Sequence, residues 1–271
     1  MTWTHHDEWV ELVSRWIAAR PTASNPEGLA RVRDELITRL DAVGFEVEVH
    51  ASDLAHEQPI LVARRPGASD RWLGISSHYD VEEAPGQWRS DPWSLCEREG
   101  RLYGRGLADN LGPLAQRLSS FADIGRQTGA GVVWVIEGEE ELGSLFAQRL
   151  YPRLELPPVA LWLEETGYFY KDGAQRVLTK GPSQVLAPIV AELEAIAARA
   201  GRALRVRERF LNKAFGQDRC AVLNHLVKER PYLAIGPNDD WTRVHAPDES
   251  LDPALLELCD LQFRRLVELL A

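Results

Sequence analysis

Apolar residues recur along the chain with two different periods. Trp9, Val13, Trp16 and Ile17 fall at helical spacing, and Pro21 ends that helix. Asn25-Pro26 reads as a cap followed by a first-turn proline. Leu29, Val32, Leu36 and Leu40 then line one helical face, and Gly44 closes it. Residues 45–50 alternate like a half-buried strand. Short uninterrupted apolar runs occupy 60–63, 72–76, 132–136, 159–163 and 232–235, the pattern of strands covered on both faces. Helical periodicity fills 114–124, 145–154, 186–200 and 255–270. Strands alternating with helices predict an α/β fold, a mostly parallel doubly wound sheet with helices on both faces. Sheets of this kind bind ligands beyond the carboxyl ends of their strands. No internal repeat, low-complexity tract or Gly/Ser linker divides the 271 residues, so one domain spanning 1–271 is expected.

Charge narrows the partners. Lys plus Arg is 31 and Asp plus Glu is 41, a net charge of −10. Phosphate binding needs a basic face, so neither a nucleic acid nor an anionic membrane is an expected partner. No apolar run approaches the roughly 18 residues of a membrane span. Met1 to Glu8 carries no basic stretch ahead of an apolar one, so no secretory signal is expected there. Cys96, Cys220 and Cys259 are an odd set without a C-x-x-C pair, the pattern of free thiols in a reducing compartment, here the cytoplasm.

The positions just past the predicted strands are rich in metal-ligand residue types. Ser77-His78-Tyr79-Asp80 follows one run, Glu137-Gly138-Glu139-Glu140-Glu141 another, and Glu164-Glu165 a third. The loop after 232–235 leads to Val244-His245, and Asp109 stands just before a predicted helix. Each has an ordinary reading alone: a satisfied buried histidine, a turn cap, an acidic helix start, a charged strand end. Their concentration at five strand ends or helix starts is what marks one edge of the sheet. Imidazole with carboxylate suits zinc, with manganese or cobalt as substitutes, and the set is large enough for two ions sharing a carboxylate. Strand alternation places Leu161, Leu163 and Glu165 on one face, which favours Glu165 over Glu164.

In series, these stretches make the chain recognisable. Ser77-His78-Tyr79-Asp80-Val81, Trp88 to Trp93, Leu102-Tyr103-Gly104-Arg105-Gly106 through Asp109-Asn110, Ile136 to Ser144, and His245-Ala-Pro-Asp-Glu249 resemble the co-catalytic metallopeptidases of the aminoacylase/carnosinase type. That family includes the acetylornithine deacetylases, succinyl-diaminopimelate desuccinylases and glutamate carboxypeptidases. The resemblance implies two zinc ions, His78 and Glu165 on one, Glu141 and His245 on the other, and Asp109 bridging. It implies Glu140 as general base and Asp80 behind His78, fixing its tautomer. The implied chemistry is amide hydrolysis by a metal-activated water.

Two departures accompany the resemblance. Family members usually carry a lysine two residues after the bridging aspartate, where this chain has Leu111. Most members also insert a small α/β lid domain, whereas Thr179-Lys180-Gly181-Pro182 here runs directly into a helix bearing Leu186, Ile189, Val190, Leu193 and Ile196. The lid often forms the dimer contact and grips the substrate, so a monomer or a different oligomer, with an open pocket, is expected. Local substitutes for the lid's grip are Arg105, Tyr168, Tyr170, Lys180, Lys213, Arg219 and Arg243, most of which read as surface charges or packed aromatics. Three readings compete: an amidohydrolase or peptidase acting on a small-molecule or peptide substrate, a lidless zinc aminopeptidase, and a metal-binding module without activity. The stretch from Trp88 to Gly106 favours the first over the second, and the retained Glu140 argues against the third.

Overall fold

The computed structural model describes residues 3–125, 129–209 and 222–270. Two helices open the chain, α1 (His6–Ala19) and α2 (Pro26–Ala42). The Asn25 side chain accepts from Gly28 N at 3.2 Å, and Pro26 takes the first turn, where its missing N–H costs nothing. Strands β1 (Glu46–His50), β2 (Ile60–Arg65) and β3 (Trp72–His78) follow. A short hairpin, β4 (Cys96–Arg98) and β5 (Arg101–Tyr103), leads through a wide turn to α3 (Gly112–Ser120). Next come β6 (Gly131–Glu137), α4 (Leu145–Leu150), β7 (Val159–Glu164), β8 (Tyr168–Phe169) and β9 (Gln175–Lys180). The described chain ends with α5 (Ser183–Arg199), β10 (Leu204–Glu208), β11 (Tyr232–Ala234), β12 (Asn238–Asp239), β13 (Ser250–Leu251) and α6 (Ala254–Leu269).

The main sheet runs β1-β2-β6-β3-β7-β11-β9-β8-β12, with β10 added on β9. Its centre, β6-β3-β7-β11, is parallel, as the apolar runs predict, while β1, β2 and β9 join their inner neighbours antiparallel. Alternation divides the central strands between two apolar layers. Val132, Trp134, Ile136, Leu161 and Leu163 pack with α1, α2, α3, α5 and α6, whereas Val133, Val135, Val159 and Trp162 face Phe146, Tyr151, Leu226 and Val227. Parallel β6, β3 and β7 therefore deliver Glu137, His78 and Glu164 to one edge of the sheet.

The structure corrects several boundaries. The helix expected over 114–124 begins at Gly112 and ends at Ser120, where the Ser119 and Ser120 hydroxyls turn back onto Ala115 O and Gln116 O at 3.0 Å. Residues 121–123 continue with i→i+3 bonds instead. The helix expected over 145–154 is α4 followed by a 3₁₀ turn. Glu140–Leu142 is likewise a single 3₁₀ turn, with α4 starting only at Leu145. Strands β8, β12 and β13 have two residues each, too short to carry a period.

One close approach shapes the far side of the site. A Cβ on Gly236 would lie 1.7 Å from Glu165 O, and one on Gly167 would lie 1.9 Å from Gly236 N. Only two glycines let the chain after β7 pass this close to the chain after β11. We expect Gly236→Ala to cost more than about 2 kcal/mol in urea unfolding. A loss below about 0.5 kcal/mol would mean that this contact relaxes freely.

Candidate metal centre

His78 is 3% exposed at the end of β3. Its Nδ1 faces the Asp80 backbone oxygen at 3.0 Å and Asp80 Oδ1 at 3.3 Å. An Nδ1–H held there leaves the Nε2 lone pair facing the site. The Asp80 carboxylate has a second task that the sequence did not reveal. Oδ1 accepts from Glu140 N at 3.2 Å and Oδ2 from Glu141 N at 3.1 Å. One buried side chain therefore sets both the imidazole of β3 and the turn that carries Glu140 and Glu141.

Asp109 lies in the wide turn Leu107–Leu111, where its non-helical φ of −132° and ψ of 87° swing it out of the coil ahead of α3. Its oxygens are divided. Oδ1 is 3.1 Å from His78 Nε2, and Oδ2 is 3.2 Å from His245 Nε2. His245 Nε2 also lies 2.9 Å from Glu141 Oε2, while Glu141 Oε1 is buried without a hydrogen-bond partner. Candidate ligand atoms of His78, Glu140 and Glu141 lie within 4.8 Å of one another, as do those of Glu82, Glu141 and His245. Glu82 was not anticipated. It stands four residues after His78, and only the fold brings it to Glu141. Imidazole nitrogens, carboxylates on both sides and an orphaned buried carboxylate oxygen form a donor set that fits divalent cations.

Glu165 stands apart from these clusters. It is buried just beyond β7, and its Oε2 accepts from Arg117 Nη1 at 3.3 Å. Glu164 is otherwise engaged: Tyr232 Oη donates to it at 2.6 Å, and the Thr166 amide and hydroxyl at 3.2 and 2.5 Å. The two glutamates thus take opposite sides of the strand, and Glu165 is the one that feels His78 and Asp109 electrostatically.

The loop bearing Asp109 is held by Glu249. This fully buried carboxylate accepts from Arg105 Nη1 at 2.6 Å, Gly106 N at 3.0 Å, Ala108 N at 2.8 Å and Asp109 N at 3.2 Å. Four donors on two oxygens call for the ionised form. Burial pushes the carboxyl up to about 7, against Arg105 and the amides of Gly106 and Ala108. Gly106 makes the turn at φ 76°, with Val81 only 2.1 Å from where a Cβ would stand. Arg105, one of the expected substitutes for a lid, is instead 1% exposed and stacked on Trp88. Its charge is spent inside the protein on Glu249.

The other local candidates are also accounted for in part. Tyr168 donates to Asp240 at 2.6 Å and packs with Tyr170 and Arg176, a surface ladder along β8. Lys180 Nζ donates to Lys228 O. Arg243 is exposed two residues before His245, beside an exposed Trp241. Lys213 and Arg219 lie outside the described residues, as does Cys220; Cys96 and Cys259 are free thiols. His5, His6 and His50 pair with Asp123, Asp7 and Glu48.

Burial and the crowding of negative charge together set the electrostatics. Burial opposes the charged form of His78, but contacts with Asp109 and Asp80 outweigh it and hold the imidazole well above its usual range. Asp109 and Glu141 raise His245 to about 10. Burial raises Asp109, yet His245 and His78 together pull it well below an ordinary carboxylate. Burial, reinforced by Asp109, Glu141 and Asp80, pushes Glu140 up to about 7 against His78. Burial and Glu164 push Glu165 up to about 8 against Arg117. Imidazole and carboxylate bind a cation only in their deprotonated forms, so cation binding at these groups would be coupled to proton release.

Residues 74–269 match the family described as Peptidase family M20/M25/M40. The Beta-Ala-His dipeptidase of Rattus norvegicus is 28% identical over 170 residues, covering 55% of this chain and 34% of the dipeptidase. The acetylornithine deacetylase of Klebsiella pneumoniae is 28% identical over 149 residues, covering 53% of this chain and 38% of that protein. The chain therefore spans about a third of the length of the curated relatives it matches. Among solved structures, the di-peptidase Dug1p of Saccharomyces cerevisiae shares the fold with a TM-score of 0.70 at 12% identity, over 98% of this chain and 96% of that one. No helix among the described residues is long and apolar enough to cross a membrane.

We expect Glu249→Ala to strand Arg105 and three amides, costing about 3–5 kcal/mol by urea unfolding at pH 8. A loss under about 1 kcal/mol would show that the Asp109 loop is held by something else.

Proposed function

The chain belongs to Peptidase family M20/M25/M40, and from that premise and the site geometry we propose that it is a metal-dependent hydrolase of amide bonds. Its substrate is a small peptide or an N-acyl amino acid. Two divalent cations, zinc with cobalt or manganese as substitutes, would be held by His78 and Glu165 on one side and by Glu141 and His245 on the other, with Asp109 serving both. The observation that carries this reading is the division of Asp109, one oxygen to each imidazole at 3.1 and 3.2 Å. A carboxylate arranged this way is built to bridge.

When bound, the cations supply a Lewis acid for the scissile carbonyl and acidify a water. The chain's own residues do the rest. Glu140 sits in the rigid turn after β6, its carboxyl clustered with His78 and Glu141 within 4.8 Å. As carboxylate it takes a proton from the attacking water, and as acid it returns that proton to the departing nitrogen. The transfer matters because a neutral amine leaves far more readily than an amide anion. Its raised pKa suits both halves of this task. Asp80 is a positioning residue: it holds the His78 ring and, through two amides, the direction in which Glu140 points.

We read residues 1–271 as a single catalytic domain without a lid. Lys180 ends β9 and Ser183 begins α5, so two residues join them. The His245 side chain is 50% exposed, consistent with a site open to a substrate. Without a lid surface the chain is expected to be a monomer, which light scattering checks. The aminopeptidase reading shares these ligands and differs in substrate: a free amino-terminal peptide rather than an N-acyl amino acid. Retention of a general base aimed into the cluster disfavours a module without activity.

Protein purified without chelator is expected to carry two zinc ions per chain by elemental analysis. Zero, even after zinc addition, would sink the metallohydrolase reading. Glu140→Gln is expected to lower kcat by about 10²–10⁴ with metal content unchanged. Unchanged turnover would remove Glu140 from the mechanism. The base works as a carboxylate, so activity falls as pH drops through its pKa. Bound cations beside Glu140 would pull that value down from its raised position. The acid limb of kcat/KM is therefore expected between 4.5 and about 7, moving with Glu140→Asp. A limb that stays put in Glu140→Asp would belong to another group.

A further inference from the structure

Helix α3 carries a cation with no obvious business in the interior. Arg117 is 3% exposed, in a helix whose residues are all buried. Its Nη2 donates to Ile235 O at 3.0 Å and its Nη1 to Glu165 Oε2 at 3.3 Å. Glu165 is its sole carboxylate contact among the described residues, with Glu164 and Cys259 farther off in the same pocket of charge. Nothing comparable stands on the other side of the site. Glu141 and His245 meet each other at 2.9 Å, no arginine or lysine is paired with either among the described residues, and Glu141 Oε1 is left over.

This asymmetry has a chemical consequence. A carboxylate that already accepts a hydrogen bond from a buried guanidinium donates less charge to a metal through its remaining oxygen. The guanidinium also repels a divalent cation directly, and burial leaves that repulsion weakly screened. We propose that Arg117 makes the two cation positions unequal. The position built from His78 and Glu165 is the weaker, the position built from Glu141 and His245 is the tighter, and Arg117 is the positioning residue that sets the difference. The inference rests on the two-cation reading of the proposed function. It assigns a role to a residue eight positions past the bridging aspartate, whose side chain reaches the site only through Glu165.

Zinc titration of the metal-free full chain against a chromophoric chelator tests it, without reference to turnover. The wild type is expected to bind its second zinc at least ten times more weakly than its first. Arg117→Met keeps an apolar stem and removes the charge. It is expected to tighten the second ion at least tenfold and leave the first unchanged, whereas Arg117→Lys keeps the gap. Glu165→Gln is expected to weaken the second ion alone. If Arg117→Met folds poorly without metal, the wild-type titration and Arg117→Lys still decide the matter. Equal first and second affinities in the wild type overturn the proposal, as does a folded Arg117→Met with an unchanged or weakened second ion. A merely structural Arg117–Glu165 pair would move unfolding midpoints in urea but neither zinc affinity. Failure of every variant and the wild type to bind zinc overturns the two-cation reading itself.

Discussion

Too many negative charges converge on one sheet edge for the site to exist unaided. His78, Glu137 and Glu164 end three neighbouring parallel strands, and the loops add Asp80, Asp109, Glu140, Glu141 and Glu165. Burial first, and repulsion from neighbouring carboxylates after it, make such groups resist ionisation, which is why Glu137, Glu140 and Glu165 all stand well above their ordinary range. The fold tolerates this only because other charges oppose it: two imidazoles on Asp109, a guanidinium on Glu165, and the cations proposed to occupy the centre. Electrostatic frustration of this kind is a common signature of a functional site.

Rigidity comes from a few carboxylates that are not themselves in the centre. Asp80 ties β3 to the Glu140–Glu141 turn, and Glu249 ties the segment after His245 to the Asp109 loop. Each spans two segments that bear candidate ligands and are far apart in the chain, so each converts the flexibility of a loop into a fixed distance. Loops carry the chemistry here, as they generally do, but buried hydrogen bonds to charged acceptors remove their freedom. Moving one of the joined segments means breaking the hydrogen bonds that also hold the other.

Arg117 and Glu82 make the two flanks of the site unlike. Arg117 pairs with Glu165, which stands outside the clusters formed by the other candidate ligands. Glu82 adds a carboxylate on the opposite flank, near Glu141 and His245. One flank is therefore relieved of negative charge and the other enriched in it.

Much of this was legible in the residues alone. Uninterrupted apolar runs such as 132–136 cannot be amphipathic surface, so they marked central strands, and the polar residue ending each run marked the sheet edge where chemistry collects. The order of the His78, Asp109, Glu140-Glu141, Glu165 and His245 segments sufficed for the fold family and for the metal-ligand candidates. What the sequence could not determine is anything that depends on long-range pairing of polar side chains. Arg105 looked available to a substrate until Glu249, 144 positions away, took its charge. Glu82 and Arg117 sit beside residues they are not periodic with, and Asp80 turns out to hold backbone as well as imidazole. Apolar patterning is written locally, because burial is a property of one face of one element. The partner of a buried charge is chosen by whichever group the folded chain carries to within hydrogen-bonding distance, and only the tertiary structure decides that.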